Sequence, residues 1–147
     1  MALPLSSNFR IVFRGLDGQD KGQDDSGFQS VTGLEIQVPD QPGNLPANIA
    51  ASMACPLPLV LTRAAKSYSE SPLLRWIFSH FNKKNKQVLP EALIELLDEK
   101  QQPYMAWSLR TIRPKSWKLS ELHAEKTEIL IETIELTYEE LLPMDLT

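Results

Sequence analysis

Apolar and polar residues alternate along several segments of the chain, and this alternation predicts short β-strands. In residues 8–14, Phe9, Ile11 and Phe13 fall on one side, and a period of two is typical of a half-buried strand. Three further segments are predicted as strands: residues 28–38, residues 59–63, and residues 104–112 with Met105, Trp107 and Leu109 on one side. These patterns predict four strands before any chemistry is considered.

Residues 71–82 have the periodicity of an amphipathic helix. Ser71 can cap the helix, Pro72 suits its first position, and a polar stripe recurs at helical spacing. The stripe consists of Arg75, Ser79 and Asn82, and the apolar face of Leu73, Leu74, Trp76, Ile77, Phe78 and Phe81. Because the aromatic residues simply follow the helix, we interpret Trp76 and Phe78 as core packing rather than as a cofactor site.

Two segments lack any strong period and are predicted as connections. Residues 15–27 hold four of the six glycines and four aspartates, which predicts a turn or a mobile loop, without the residue order of an EF-hand. Residues 39–58 hold five prolines, which predicts a long loop or arm. Gly33, inside the second strand, marks a bulge or a close approach by another backbone.

Two shorter segments are read from weaker signals. Residues 90–100 are ambiguous, because Pro90 and the Ala, Leu and Glu content favour a helix whereas the segment is short and runs into a turn. If residues 93–97 are extended, they form a hairpin with the strand that follows. Residues 113–117, with the sequence RPKSW, are interpreted as a connector.

Glutamates are spaced through the β-branched segment of residues 127–138, and their placement bears on catalysis. Six of its twelve residues are β-branched, which a strand prefers. On a strand, Glu132 faces one way and Glu135 and Glu139 the other. The alternation changes phase upstream of Glu132, which suggests a bulge there or a strand covered on different faces in its two halves. Because catalysis by paired carboxylates needs both groups in one pocket, we predict no catalytic residues here.

Length and composition indicate one domain spanning residues 1–147. Hydrophobic residues make up 42% and charged residues 23% of the chain, as in ordinary globular proteins. The apolar runs are too short to cross a bilayer, so no membrane insertion is expected. The first residues lack a basic region followed by a long apolar one, so no secretory signal is expected either.

Few residues could carry metal or nucleophile chemistry. Cys55 is the only cysteine, which excludes an intramolecular disulfide, and we interpret it as a buried or partly buried, inert thiol. His80 and His123 lie in different segments without metal-ligand spacing. We therefore predict no metal, no cofactor and no enzymatic activity; the enzyme alternative would use Glu132 or Glu135 together with His123.

Charge is segregated along the chain. Residues 1–62 carry three basic and six acidic side chains, residues 63–118 eleven and five, and residues 119–147 one and eight. The basic clusters, residues 83–86 and Arg110, Arg113, Lys115 and Lys118, have no signature of an RNA-binding sheet, so no specific nucleic-acid binding is predicted. Solvated loops explain them, or opposite-signed surfaces of identical subunits that meet in an assembly.

Taken in order, several stretches resemble the tail tube proteins of contractile phages and contractile injection systems. The strongest are TGLE at residues 32–35 and IETIEL at residues 131–136, and the resemblance spans about residues 8–142. The other stretches are NFRIVFRGL, GFQSVTGLEIQV, LVLTR followed by the Trp-containing helix, IELLDEKQQP, RPKSW and EILIETIELTYEEL.

The resemblance implies a mainly β fold, an antiparallel β-sandwich or split barrel with one flanking helix, in which residues 93–97 are strand. Copies of such a chain form hexameric rings that stack into the inner tube of a phage tail or tail-like particle, assembled in the bacterial cytoplasm. The implied partners are other tube rings, the baseplate hub and spike, and the sheath, and the 39–58 arm reaches a neighbouring subunit or ring. A closed ring also removes exposed strand edges, which are a liability in a monomer.

The sequence departs from the pattern of main tube subunits in two places. The arm is proline-rich instead of glycine-rich, and Arg63 is followed by Ala64 and Ala65 instead of glycine. These departures suggest a tube-initiating ring between the baseplate hub and the main tube. Outside the family, the alternative is a monomeric β-barrel module that binds a ligand or peptide.

Overall fold

The computed structural model describes residues 8–18, 23–25, 27–38, 55–82 and 87–146. Within these residues there is one α-helix, α1 (Pro72–Phe81), with short 3-10 turns at Leu16–Gly18 and Tyr68–Glu70. The strands are β1 (Phe9–Arg14), β2 (Gln23–Asp24), β3 (Phe28–Thr32), β4 (Ile36–Gln37), β5 (Cys55–Pro56), β6 (Leu59–Ala64), β7 (Leu89–Leu97), β8 (Pro103–Leu119), β9 (Ile131–Thr137) and β10 (Glu140–Pro143).

The long strand β8 belongs to two antiparallel sheets. Its first half, residues 103–112, pairs with β7 on one side and β10 on the other, forming sheet A in the order β2, β1, β7, β8, β10. Its second half, residues 113–119, pairs with β9, forming sheet B in the order β8, β9, β6, β3. Two sheets that share one strand make a split barrel, so the predicted mainly β, antiparallel fold with one helix is confirmed.

The crossing between the sheets is marked in the backbone of β8. Thr111 has a φ of 61°, a conformation that is rare for a β-branched residue. The pairing with β7 ends at Ile112 and the pairing with β9 begins at Arg113. The prediction of a connector at residues 113–117 is therefore wrong. Pro114 is tolerated in the strand because it lies at the register shift between Pro114 and Ser116.

The core lies between the two sheets and is closed by α1. Phe13 and Ile11 from sheet A, Leu61 and Ile134 from sheet B, and the apolar face of α1 form one buried cluster. The helix begins as predicted: the Ser71 hydroxyl accepts a hydrogen bond from the Leu74 amide at 3.1 Å, and Pro72 occupies the first turn. Trp76 is buried and Phe78 packs against the cluster, which confirms their interpretation as packing residues.

Strand β7 resolves the ambiguity of residues 90–100. Ala92 and Ile94 face the core, whereas Glu91 and Glu95 lie on the outer face and pair with Arg14 at 2.8 Å and Arg10 at 3.0 Å. The pairing with β1 and β8 outweighs the local helix propensity. The strand that the family resemblance implied for residues 93–97 is confirmed.

Strand β9 alternates without interruption, with Glu132, Ile134 and Leu136 buried. Residues 127–130 precede the strand, so both explanations of the phase change, a bulge near residue 132 and a strand covered on different faces, are wrong. The irregularity lies in the partner strand, between Pro114 and Ser116.

The two predicted connections are only partly described. The predicted turn after β1 closes a hairpin in which Val12 pairs with Asp24 of β2, and Leu16 and Asp25 of this segment are buried. Of the arm, residues 55–58 are described, and β5 pairs with β4; residues 39–54 lie outside the described residues. No helix within the described ranges is long and apolar enough to span a bilayer.

Candidate assembly interface

Sheet B has two long open edges in the described part of the chain. Strands β9 and β10 follow one another along the same side of β8, whereas β7 lies on the opposite side and ends its pairing at Ile112. On that side, residues 113–119 pair with no strand of the described chain, although Pro114 has no N–H to donate there. At the other edge, β3 pairs with β6 alone. Open edges of this length are templates for another chain.

Sheet A has shorter edges. β2 has two residues, and β10 has four and ends at Pro143. Proline cannot donate a backbone hydrogen bond, so it weakens β10 as a pairing surface. The edges of sheet B are thus the better surfaces for strand addition.

The outer face of sheet B is rich in hydroxyl groups. It carries Ser30, Thr32, Thr62, Thr133 and Thr137, and the hydroxyls of Ser30 and Thr62 are hydrogen-bonded to each other. Its cations are partly neutralised, since Arg113 contacts Glu139 at 3.2 Å and Lys115 contacts Glu135 at 3.7 Å. The face therefore presents short polar groups with local charge pairs.

Behind this face lies a fully buried ionic network centred on Arg63 of β6. The guanidinium donates from Nε to Glu132 Oε2 at 2.6 Å, from Nη1 to Asp25 and from Nη2 to Ser71 Oγ at 3.0 Å. It also lies 4.7 Å from the centre of the Phe28 ring. Arg63, Asp25 and Glu132 are all 2% exposed or less, so each charge depends on the others.

The network joins the helix to sheet B. Asp25 Oδ2 accepts from the Leu73 amide at 2.9 Å and from the Ser71 hydroxyl at 2.8 Å. Glu132 Oε1 accepts from Trp117 Nε1 at 2.8 Å. With Lys66 Nζ at 3.9 Å from Asp25, the cluster is close to neutral. The arrangement fixes α1 against β6, β8 and β9.

The network accounts for the position of Glu132, one of the glutamates of β9. Glu132 is buried beside Arg63, while Glu135 lies on the opposite face beside Lys115, so the predicted division of these carboxylates is confirmed. Sequence reasoning missed Arg63 and Asp25. A signal existed, because Arg63 follows Leu59 and Leu61 on the buried side of β6, where a charged residue needs a partner.

A tight contact fixes the base of the arm. Gly33 has a φ of 94°, and a Cβ atom there would lie 2.0 Å from the carbonyl oxygen of Pro58, so only glycine fits. The predicted close backbone approach at Gly33 is confirmed. The Tyr138 hydroxyl donates to the Gly33 carbonyl at 3.3 Å, and the Leu57 amide donates to the Glu35 carbonyl at 2.9 Å. The arm thus leaves sheet B from an anchored base.

Tyr138 makes the stability of this anchored end of the arm depend on pH. Burial raises the pKa of the Tyr138 hydroxyl above its ordinary value of 10.0, and a hydrogen bond with the Glu35 backbone lowers it in part. The pKa of Tyr138 is higher in the folded chain than in the unfolded chain. The contribution of its hydroxyl to the free energy of unfolding is therefore complete below pH 10 and is lost as pH rises through the folded pKa.

We expect Tyr138→Phe to lower the free energy of unfolding by roughly 0.5–1.5 kcal/mol at neutral pH, through loss of the bond to Gly33. Above pH 10 the wild type should lose stability faster than the variant, by at most about 1.4 kcal/mol per pH unit. Urea unfolding from pH 7 to pH 11 measures both. Parallel profiles for the two proteins would contradict this role of the hydroxyl.

The other candidate residues do not form a reactive site. Cys55 is exposed in β5, so its predicted burial is wrong; an edge ribbon leaves its side chain in solvent. His80 packs on Trp76 with ring centroids 6.2 Å apart, and His123 Nδ1 accepts from the Glu125 amide at 3.2 Å. Among the described residues, no group of three or more His, Cys, Asp or Glu side chains is placed to hold a metal ion.

A cleft of about 480 Å³ lies beside α1, lined by Gly15, Asp17, Tyr68, Arg75, Trp76, Ser79 and Gln87. Arg75 in this cleft donates hydrogen bonds to Asp17 Oδ2 at 2.9 Å and to the Ser69 carbonyl at 2.9 Å. We therefore interpret the charged pair of the cleft as a structural contact that holds α1 to the neighbouring turns.

Comparison with solved structures shows where the same fold occurs. A chain in the cryo-EM structure of the anti-feeding prophage baseplate superposes with a TM-score of 0.76 at 23% identity, covering 100% of this chain and 99% of that one. A chain of an extracellular contractile injection system, in its extended sheath–tube complex, gives 0.68 at 18% identity, with 98% and 93% covered. Hcp1 from Flavobacterium johnsoniae gives 0.59 at 8% identity, with 92% and 94% covered.

Sequence comparison adds the family. The search of curated proteins finds no match. Residues 5–142 match the family model described as T4-like virus tail tube protein gp19. This range includes both open edges of sheet B, the buried network and the arm. The chain therefore belongs to the T4-like virus tail tube protein gp19 family, as the resemblance of its strands had implied.

Proposed function

We propose that six copies of this tail tube family member close into a ring by pairing the edges of sheet B. The observation that carries the proposal is the pair of long open edges, β3 on one side and residues 113–119 on the other. Each is unsatisfied in the described monomer, and a closed ring satisfies both. Sheet B of every copy then becomes part of one continuous barrel.

Strand direction supports this pairing. Within sheet B all neighbours are antiparallel, so β3 and β9 run one way and β6 and the second half of β8 run the other. A copy rotated about an axis along the sheet brings its β8 beside β3 with opposite direction. The junction continues the antiparallel order without a break.

The second layer supports placing the outer face of sheet B in the lumen. Sheet A and α1 cover the inner side of sheet B, and this thick layer fits only on the outside of a closed barrel, where the circumference is larger. The hydroxyl-rich face with Thr62 and Thr133 then lines the conduit. This face is mainly polar, with Val60 and Ile131 half-buried among its hydroxyl and charged groups.

The ring serves in the inner tube of a contractile phage tail or injection system, assembled in the bacterial cytoplasm and sharing the particle with sheath and baseplate proteins. A tube-initiating position next to the baseplate hub is supported by the fold match to a baseplate structure and by the proline-rich arm. The role is structural, without catalysis.

Light scattering coupled to size-exclusion chromatography tests ring formation. We expect a species of six times the chain mass that persists on dilution better than a dimer would, because each subunit is held on two sides. A monodisperse monomer at high concentration would overturn the proposal and favour the ligand-binding or peptide-binding module.

A further inference from the structure

The loop between β8 and β9, residues 120–130, holds two large apolar side chains in solvent. Leu122 and Ile129 are each 73% exposed. The loop is nevertheless ordered at its base, where the Ser120 amide donates to the Ile131 carbonyl at 2.9 Å and the Ile131 amide donates to Ser120 Oγ at 3.0 Å. A fixed loop that keeps aliphatic groups out of the core presents a contact surface.

A second apolar surface lies on the ribbon at the base of the arm. Leu34, Ile36 and Val38 alternate along the chain and so share one face, and they are 36%, 48% and 52% exposed. The ribbon of β4 and β5 keeps the register of β3 and β6, because Thr32 pairs with Val60 and Ile36 with Pro56. It therefore extends the hairpin of β3 and β6 beyond sheet B.

The two apolar surfaces lie at opposite ends of the same sheet. Ile131, which follows the loop, pairs with Ala64 at one end, and Leu136 pairs with Leu59 at the other. The ribbon leaves from the Leu59 end, because Thr32 and Val60 pair there. In a ring whose barrel strands run between its two rims, the loop occupies one rim and the ribbon the other.

We propose that Leu122 and Ile129 of one copy dock on Leu34, Ile36 and Val38 of a second copy in the adjoining ring. This inference rests on the proposed ring. The surfaces differ, so the contact is head to tail and repeats without closing, as a stacked tube requires. Each contact is small, but a ring presents six at once, so stacking is multivalent and single chains do not associate through it.

Charge alone gives weaker support for stacking. The loop carries three acidic residues and one basic residue. The cations Arg113 and Lys115, near the ribbon end, are engaged by Glu139 and Glu135 of their own chain. The stacking contact is therefore argued from the apolar surfaces rather than from charge.

Two double variants test the contact, each assayed for rings and stacks by light scattering and negative-stain microscopy. Leu122→Ser with Ile129→Ser removes the loop surface, and Ile36→Ser with Val38→Ser removes the ribbon surface. We expect each variant to form single rings and to lose stacks at least tenfold relative to wild type. Leu146→Ser, which removes an aliphatic group that is 46% exposed elsewhere, should stack as wild type.

Mixing the two double variants gives the sharpest result. Each ring then retains one working rim, and these rims are complementary, so the mixture should form pairs of rings and nothing longer. Full-length stacks from either variant alone, or no pairs from the mixture, would overturn the head-to-tail contact while the ring proposal stands. Absence of rings in the wild type would overturn the ring proposal first, and this inference with it.

A cysteine at position 56 provides an independent distance test, because Pro56 pairs with Ile36 and so lies on the docking face of the ribbon. In stacked rings of Ile129→Cys with Pro56→Cys, both in the Cys55→Ser background, a short bismaleimide should join residue 129 of one copy to residue 56 of the next and give dimers and longer covalent chains. The cross-link should vanish when either added cysteine is omitted, and Leu146→Cys in place of Ile129→Cys should give none. Equal cross-linking in unstacked rings would contradict the proposed rim.

Discussion

Replacing Arg63 with methionine is expected to lower the free energy of unfolding by about 3–5 kcal/mol, because it removes the cation that Glu132 and Asp25 share and leaves Asp25 only the longer contact with Lys66 at 3.9 Å. Asp25 and Glu132 are both almost fully buried, and neither can reach solvent where it lies. Urea unfolding at one fixed protein concentration measures the change, since assembly would otherwise alter the apparent stability.

Two comparisons separate the charge effect from lost packing. Arg10→Met breaks a partly exposed pair with Glu95 and should cost less than about 1 kcal/mol. Combining Arg63→Met with Asp25→Asn and Glu132→Gln removes all three charges but keeps acceptors for Leu73 and Trp117. The triple variant should recover a large part of the loss. A triple variant as unstable as Arg63→Met alone would show that packing, not charge, sets the cost.

Placing two arginines on β3, by Gln29→Arg and Thr32→Arg, is expected to block ring closure. Both side chains are exposed at the open edge of sheet B. In the proposed ring they face Arg113, Lys115 and Lys118 of the next subunit, and like charges across strands are unfavourable by roughly 0.2–1 kcal/mol per pair. Summed over the pairs at a junction, this shifts the concentration of half-assembly about tenfold or more.

The matched control places glutamates at the same two positions, with similar bulk and opposite charge. Gln29→Glu with Thr32→Glu should form rings at least as well as wild type. Added salt should partly restore rings in the arginine variant, because it screens exposed charges. Circular dichroism checks that both variants fold. Equal assembly of the two variants at low salt would place the junction elsewhere.

The local sequence pattern was sufficient to predict the elements whose structure is determined by their own residues. The helix at residues 71–82 was predicted with its Ser71 cap, and Gly33 was predicted as a close approach, because each signal is contained in adjacent residues. β7 was not decided locally, since its propensity favours a helix and its pairing with β1 and β8 overrides that preference.

The errors arose where distant contacts decide the structure. Residues 113–117 looked like a connector because of Pro114, yet pairing with β9 holds them in β8 across a register shift. In the ionic network, Arg63 binds Asp25, which lies 38 residues away in the sequence, and Glu132, which lies 69 residues away. Sequence spacing does not predict that these three residues are in contact, although the position of Arg63 on the buried side of β6 shows that it needs a partner.

Electron cryomicroscopy of the purified, assembled protein shows which strand edges meet between copies. We expect rings of six in which β3 of each copy pairs antiparallel with residues 113–119 of the next, with α1 on the outside and Thr62 and Thr133 facing the lumen. A monomer, or a ring in which α1 lines the lumen and the second half of β8 keeps an open edge, would contradict the proposed ring.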